Sequence, residues 1–283
     1  MRQFSNMAGA SPHRFLALVV LQARQGLHLQ RWLLLPVAFT LFAFYIKDYA
    51  GFDLAKQVPI ELNLWDLLPS MLVHQKVTLW AYVLGFALLI GDGLARARAS
   101  GAATLALVRA PSRATWWVSR SVSIGFQAGF FVAASTAVVL AFGALALPLS
   151  LEPSPGAQIL TREAMLYPRP TTWPMPAFTL AIMARATLGL WLLGCLLEGV
   201  ALLSRRPLAP LLVVMGAIFA TLGLLPGVSR ATADRWLDPT HLISYADHLA
   251  PANLPVVTFL LAWFVAMLAL VSLGAWRFRH LDL

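Results

Sequence analysis

The sequence predicts an all-α integral membrane protein with six transmembrane helices, both termini cytoplasmic and an N-terminal helix lying in the membrane interface. Three observations carry this expectation. Of 283 residues, 59% are hydrophobic and only 12% charged, where soluble domains carry about 25% charged residues. The mean hydropathy is +0.74, and so little polar surface could not cover so apolar a core in water. The apolar residues gather in six runs rich in Gly, Ala and Leu, without period-2 alternation, which favours helices over a barrel.

Residues 1–31 come first. Ser11–Arg31 mixes Phe15, Leu16, Leu18, Val19 and Val20 with Arg14, Gln22, Arg24, Gln25 and His28. It is too polar to span, and an interfacial amphipathic helix fits it, with Ser11 as a cap before Pro12. A cleaved signal peptide fits less well, because its apolar centre, Phe15–Leu21, has only seven residues and no small-residue cleavage site follows.

Six runs follow within residues 32–276: Trp32–Ile46, Val77–Gly91, Ser121–Leu151, Ala177–Leu203, Pro207–Ser229 and Leu249–Trp276. They place spans at about 32–46, 77–93, 118–147, 177–203, 207–227 and 252–276, with residues 277–283 as a cytoplasmic tail. A helix needs about 20 residues to cross the hydrocarbon core. The first two runs have 15 residues each, and the flanking Arg31, Lys47 and Lys76 lengthen them by snorkelling.

Between the second and third runs lies Asp92–Trp117, with Arg96, Arg98, Arg109 and Arg113 before the Trp116–Trp117 pair and Arg120 just after it. Lys and Arg near span ends resist translocation, so this segment is expected in the cytoplasm. The rest of the chain agrees. Inner segments then hold thirteen basic residues against three acidic ones (Asp92, Glu198, Asp282), and outer segments seven basic against nine acidic. Trp32, Trp116, Trp117 and Trp276 are read as anchors at inner span ends, and Trp173 and Trp236 as anchors near the outer interface. The net charge of +9 is thus an insertion signal and no nucleic-acid footprint.

The outer segments are a mixed-charge loop at 47–76, a proline-rich stretch at 148–176 and the 230–248 loop. The single cysteine, Cys195, excludes an intramolecular disulfide and a cysteine-based metal cluster, and reads as a small buried hydrophobe. Two charges fall in the fourth run. Arg185 and Glu198 stand thirteen residues apart, about 20 Å at the helical rise, too far to pair with each other. Glu198 is expected to meet Arg205 or an arginine of the basic segment, and Arg185 to snorkel outwards or touch a translocated acid.

No catalytic constellation is evident. There is no His-Glu-x-x-His, no Gly-x-Ser-x-Gly and no phosphate-cradling loop with a lysine. His241, Asp247 and His248, with Ser244, form the nearest cluster, and their spacing suits solvated loop residues. The chain is therefore expected to be no enzyme, to have no metal site and to bind no cofactor itself. If ATP drives its action, another chain hydrolyses the ATP.

Three stretches resemble the ABC-2 type permeases, membrane subunits of one class of bacterial ABC exporter. They are the polar-basic Leu18–Arg31 running into Trp32-Leu-Leu-Leu, the connection in which Gly101 is followed by Thr104-Leu105-Ala-Leu-Val-Arg109-Ala-Pro111-Ser-Arg113, and the terminal Trp276-Arg-Phe-Arg-His-Leu-Asp-Leu283. The chain departs from the family pattern at Ser100, where a Glu is common, and at Ala102 and Ala103, which separate Gly101 from Thr104. The resemblance implies a permease subunit in the bacterial plasma (inner) membrane. Residues 95–113 would be a coupling helix seated on a separate ATP-binding subunit, through Arg96, Arg98, Gly101, Thr104, Leu105, Arg109, Pro111 and Arg113. The 12–28 helix, with Arg14, Arg24 and Arg31, would cradle that subunit, which would carry the ATP and Mg²⁺. A second permease chain, identical or different, would face the first. The alternatives are an intramembrane or membrane-surface enzyme acting on lipids, and a membrane scaffold or sensor that transports nothing.

Overall fold

The computed structural model describes residues 12–27, 29–55, 63–73, 75–99, 101, 103, 107–108, 110–151, 174–204, 206, 208–224, 243 and 256–279. Every regular element among them is helical. In chain order these are α1 (Pro12–Gly26), α2 (Leu29–Trp32), α3 (Leu34–Ala55), a 3₁₀ turn (Leu64–Asp66), α4 (Leu67–Val73), α5 (Gln75–Val77), a π-helical stretch (Thr78–Leu84), α6 (Gly85–Ile90), α7 (Gly93–Ala99), α8 (Arg113–Ala146), α9 (Met175–Ser204), α10 (Ala209–Thr221) and α11 (Val256–Arg279).

Helix α8 is the central post, packing against α9, α1, α3 and α11. Its limits follow from its sequence. Ser112 is extended and its Oγ accepts the Thr115 backbone N–H at 3.0 Å, an N-cap. At the far end Leu147 leaves helical geometry just before Pro148, which cannot continue a helix. Helix α10 ends on Gly223, at φ +71°, with Leu224 N–H returning to Phe219 C=O at 2.8 Å. Only glycine enters that left-handed region without cost.

Two helices are long and apolar enough to cross a membrane, Arg113–Leu145 and Pro176–Ser204. A third crossing arises only if Pro12–Gly26 and Gln30–Ile46, bent by 57°, act as one span. This supports membrane association, while six spans find no support among the described residues. Thr78–Ile90, Ala209–Thr221 and Leu261–Arg277 are shorter apolar helices of 10–17 residues. At 1.5 Å per residue, the 13 residues of Ala209–Thr221 reach about 20 Å, short of the ~30 Å hydrocarbon core, whereas Leu261–Arg277 is part of the 24-residue α11, whose full length is sufficient. The described residues do not support placing both termini on one side.

The N-terminal segment is helical, as its pattern predicts, and part of its apolar surface packs on protein, while Leu16 and Val20 are exposed. Leu18, Val19 and Gln22 are buried, and the Gln22 carbonyl oxygen accepts from Ser119 Oγ of α8 at 3.1 Å. The indole N–H of Trp32 donates to Gly26 C=O at 3.3 Å and closes the bend after α1. The expectation of aromatic anchors at the inner span ends needs correction. Trp32, Trp116 and Trp117 are buried, and only Trp276 is exposed. Trp116 and Trp117 belong to a small core with Leu94, Ala103, Ala201 and Leu202. Gly274 of α11 leaves the room that the Trp117 indole fills. Trp173 and Trp236 lie outside the described residues.

Candidate functional site

The basic connection departs from the bundle at Asp92, and the features with chemical potential converge there. Helix α7 follows at once and runs only to Ala99. Gly101, at φ +71° with open space around it, turns the chain after that helix.

Two charge clusters hold the start of α7. In the first, Arg31 grips Asp92 with both guanidinium nitrogens, at 2.9 and 3.0 Å. Nη1 also donates to Leu88 C=O at 3.2 Å. Arg96, one turn on, reaches the same carboxylate at 3.0 Å and Leu89 C=O at 3.2 Å. These side chains are partly open to solvent, 42% exposed for Arg31, 31% for Asp92 and 32% for Arg96. The forked guanidinium suits the carboxylate geometrically.

In the second, Arg120 Nη2 donates to Glu198 Oε1 at 2.5 Å, with side-chain exposures of 6% and 1%. The pair joins α8 to α9 near their arginine-rich ends. Two of its buried atoms, Arg120 Nε and Glu198 Oε2, have no hydrogen-bond partner. Gly93 lies directly against it. A Cβ added there would stand 2.6 Å from Arg120 Nη2 and 3.1 Å from Glu198 Oε1. The first residue of α7 thus touches the ion pair with bare backbone. Helix and bundle are joined further by Leu94, which packs with Trp116, Trp117, Ala201 and Leu202.

Beside Asp92 opens a cavity of about 530 Å³, bounded by the start of α3, by the π-helical stretch with α6, by Leu208 at the N-cap of α10 and by Leu211 within it. Arg31 and Asp92 are its charged lining residues, and the rest of the wall is apolar. Its floor is aromatic. Phe39, Phe42 and Phe131 line it, and Phe131 of α8 stands 5.6 Å from Phe39, centroid to centroid. The π-helical turns start at Thr78, whose Oγ1 sits 3.0 Å from Leu72 C=O and 3.2 Å from Met71 C=O. A side chain there satisfies carbonyls at an irregular helix junction.

The residues singled out from sequence fall as follows. Arg31 and Arg96 converge on Asp92, and Glu198 meets Arg120, the last arginine of the basic segment. Pro111 and Arg113 are exposed at the start of α8, and Arg14 and Arg24 are exposed on α1. Arg185 is half-buried within α9. Arg98 belongs to α7. Thr104, Leu105 and Arg109 lie outside the described residues, as do His241, Ser244, Asp247 and His248. Among the described residues no three His, Cys, Asp or Glu side chains come together as metal ligands, and Cys195 is buried. Sequence reasoning missed the contact of Gly93 with the ion pair and the grip of Arg31 on Asp92. The only available signal was that Asp92 is the lone acid in an arginine-rich stretch.

Residues 33–167, less than half of the chain, match the model of a family described as "Protein of unknown function (DUF2705)". No curated protein and no solved structure matches the chain. These findings overturn the resemblance to ABC-2 permeases, since the family model that does match is an uncharacterised one. The reason for the misreading is physical. An arginine-rich segment between apolar runs, a helix stopped by Gly and restarted after Pro, and a basic chain end are demands of membrane insertion and helix capping. Unrelated membrane proteins meet them with similar short motifs.

Proposed function

We propose that this chain is the membrane-embedded permease subunit of an ATP-driven transporter, with the segment from Asp92 to Arg113 as the place where a separate ATP-hydrolysing subunit docks. The observation that carries the reading is the seating of α7. A seven-residue helix leaves the bundle between two charge clusters, one half-open and one sealed, and its first residue rests on a buried ion pair between the two longest helices. A push on α7 from outside the bundle would reach α8 and α9 through Gly93 and the paired side chains of Arg120 and Glu198. The exposed Pro111 and Arg113 widen the cationic surface beside it.

In this reading the arginine-rich face is cytoplasmic, because positive charge near span ends is retained there. The sequence carries no phosphate-binding loop, so the partner supplies ATP and Mg²⁺ binding. A second copy of the chain, or a different permease, completes the path. The shorter apolar helices contribute to it as partial crossings.

Purification of the tagged full chain from its native membrane tests the reading. A nucleotide-hydrolysing subunit is expected to co-purify, and Arg109→Glu with Arg113→Glu is expected to release it while the permease stays folded. A cysteine at Ala102 should react with an impermeant thiol reagent only after the cells are opened. Co-purification unchanged by the charge reversal, or labelling of intact cells from outside, sinks the proposal.

A further inference from the structure

We infer that the cavity beside Asp92 is a binding site for one anionic phospholipid of the surrounding bilayer. The phosphate would sit at Arg31 and an acyl chain would lie along Trp80, Leu84, Leu88 and Leu211. This assignment stands independently of partner docking.

The cavity has the two-part chemistry of an amphiphile. Its volume of about 530 Å³ is that of an ordinary small-molecule site. Its wall is apolar except at the end where Arg31 and Asp92 lie. Leu34, Trp80 and Leu88 are exposed there, in a protein whose apolar helices associate with a membrane. A purely apolar chain would suffice to cover those side chains. The charged end asks for more. Two guanidinium groups share the single Asp92 carboxylate, which leaves one positive charge uncompensated at the mouth. Arg31 has five N–H donors and uses three of them, on Leu88 C=O and on the two Asp92 oxygens. Two donors on a side chain 42% exposed remain for an incoming anion. Basic pockets between membrane helices bind anionic headgroups by this chemistry. The charge excess therefore selects an anionic lipid over a zwitterionic one.

The π-helical turns shape the tail site. Trp80, Ala81 and Leu84 all lie within them and all line the cavity. Widened helical turns of this kind recur at ligand sites because they displace side chains from the regular helical register.

The test uses the full chain in nanodiscs of phosphatidylcholine with a fixed fraction of phosphatidylglycerol, followed by native mass spectrometry of the lipid that stays bound after mild delipidation. One tightly held phosphatidylglycerol per chain is expected, with about a fivefold preference over phosphatidylcholine from one net charge. Ala38→Trp fills the cavity from the α3 wall and should abolish retention of both lipids. Arg31→Gln should keep the tail site and lose the preference. Leu211→Trp fills the opposite wall and decides the matter if Ala38→Trp does not fold. Equal retention of the two lipids by the wild type overturns the proposal. So does retention unchanged in a folded variant with the cavity filled.

Discussion

Asp92 and Gly93 are neighbours in the chain, yet the charges around them live in different surroundings. Arg31, Asp92 and Arg96 are each about a third exposed or more, whereas Arg120 and Glu198 are sealed. Water screens the first cluster, and pairs of that kind contribute about 0–1 kcal/mol each. The second cluster lost its hydration on burial, and its unmatched Arg120 Nε and Glu198 Oε2 recover little of it. Such a pair adds little net stability, but removing one partner strands the other charge and costs about 3–5 kcal/mol. The contrast gives the root of α7 one firm side and one adjustable side. Any tilt of α7 would pivot on Gly93 and rearrange the Asp92 cluster first.

The largest effect should come from the sealed side. Glu198→Leu leaves the Arg120 guanidinium buried without a counter-charge. It should lower stability by about 3–5 kcal/mol, read as a large drop in the thermal unfolding midpoint of the detergent-solubilised protein. Adding Arg120→Leu should restore most of the loss, since apolar replacement of both partners removes the stranded charge. A single variant as stable as the wild type would show that water reaches the pair.

Gly93→Leu comes next. Its Cβ would meet Arg120 Nη2 at 2.6 Å, and overpacking of this order costs about 1–3 kcal/mol. The comparison sharpens in the triple variant. With Arg120 and Glu198 both replaced by leucine, the cost of Gly93→Leu should change by more than about 0.5 kcal/mol, as for residues in direct contact. Additive unfolding energies would mean that Gly93 does not rest on the pair.

These contacts also show how far the sequence could be read. The body of helix α8 was legible as a charge-free apolar run from Ser121, but its start at Arg113, capped by Ser112, lies eight residues before that run and was not read. All-helical architecture followed from composition. The number of complete crossings did not, because apolar content alone cannot separate a span from a short helix packed inside the bundle. The burial of Trp116 and Trp117 was misread for a related reason. An indole near a basic helix end looks the same in sequence whether it faces headgroups or, as here, packs with Leu94 and Leu202. The Arg120–Glu198 pair joins residues 78 positions apart. Sequence indicated that Glu198 needed a cation and left the partner open between Arg205 and the basic segment. The cavity was invisible, since it is made by π-helical turns for which no residue pattern was recognised.

The smallest expected effect lies on the adjustable side. Arg96→Ala removes a solvent-exposed i,i+4 contact to Asp92, worth about 0.3–0.5 kcal/mol. Asp92 keeps its two bonds to Arg31, so the carboxylate is not stranded and the unfolding midpoint should barely move. What little difference exists should vanish near 1 M salt, where charges are screened within about 3 Å. The sealed pair should respond to salt far less. The penalty of Glu198→Leu is therefore expected to persist under the same conditions, and the two substitutions, measured at low and high salt, separate the two sides of α7 without reference to any partner. If Arg96→Ala proved as costly as Glu198→Leu at both salt concentrations, the Asp92 cluster would be as rigid as the buried one, and α7 would have no side on which to give.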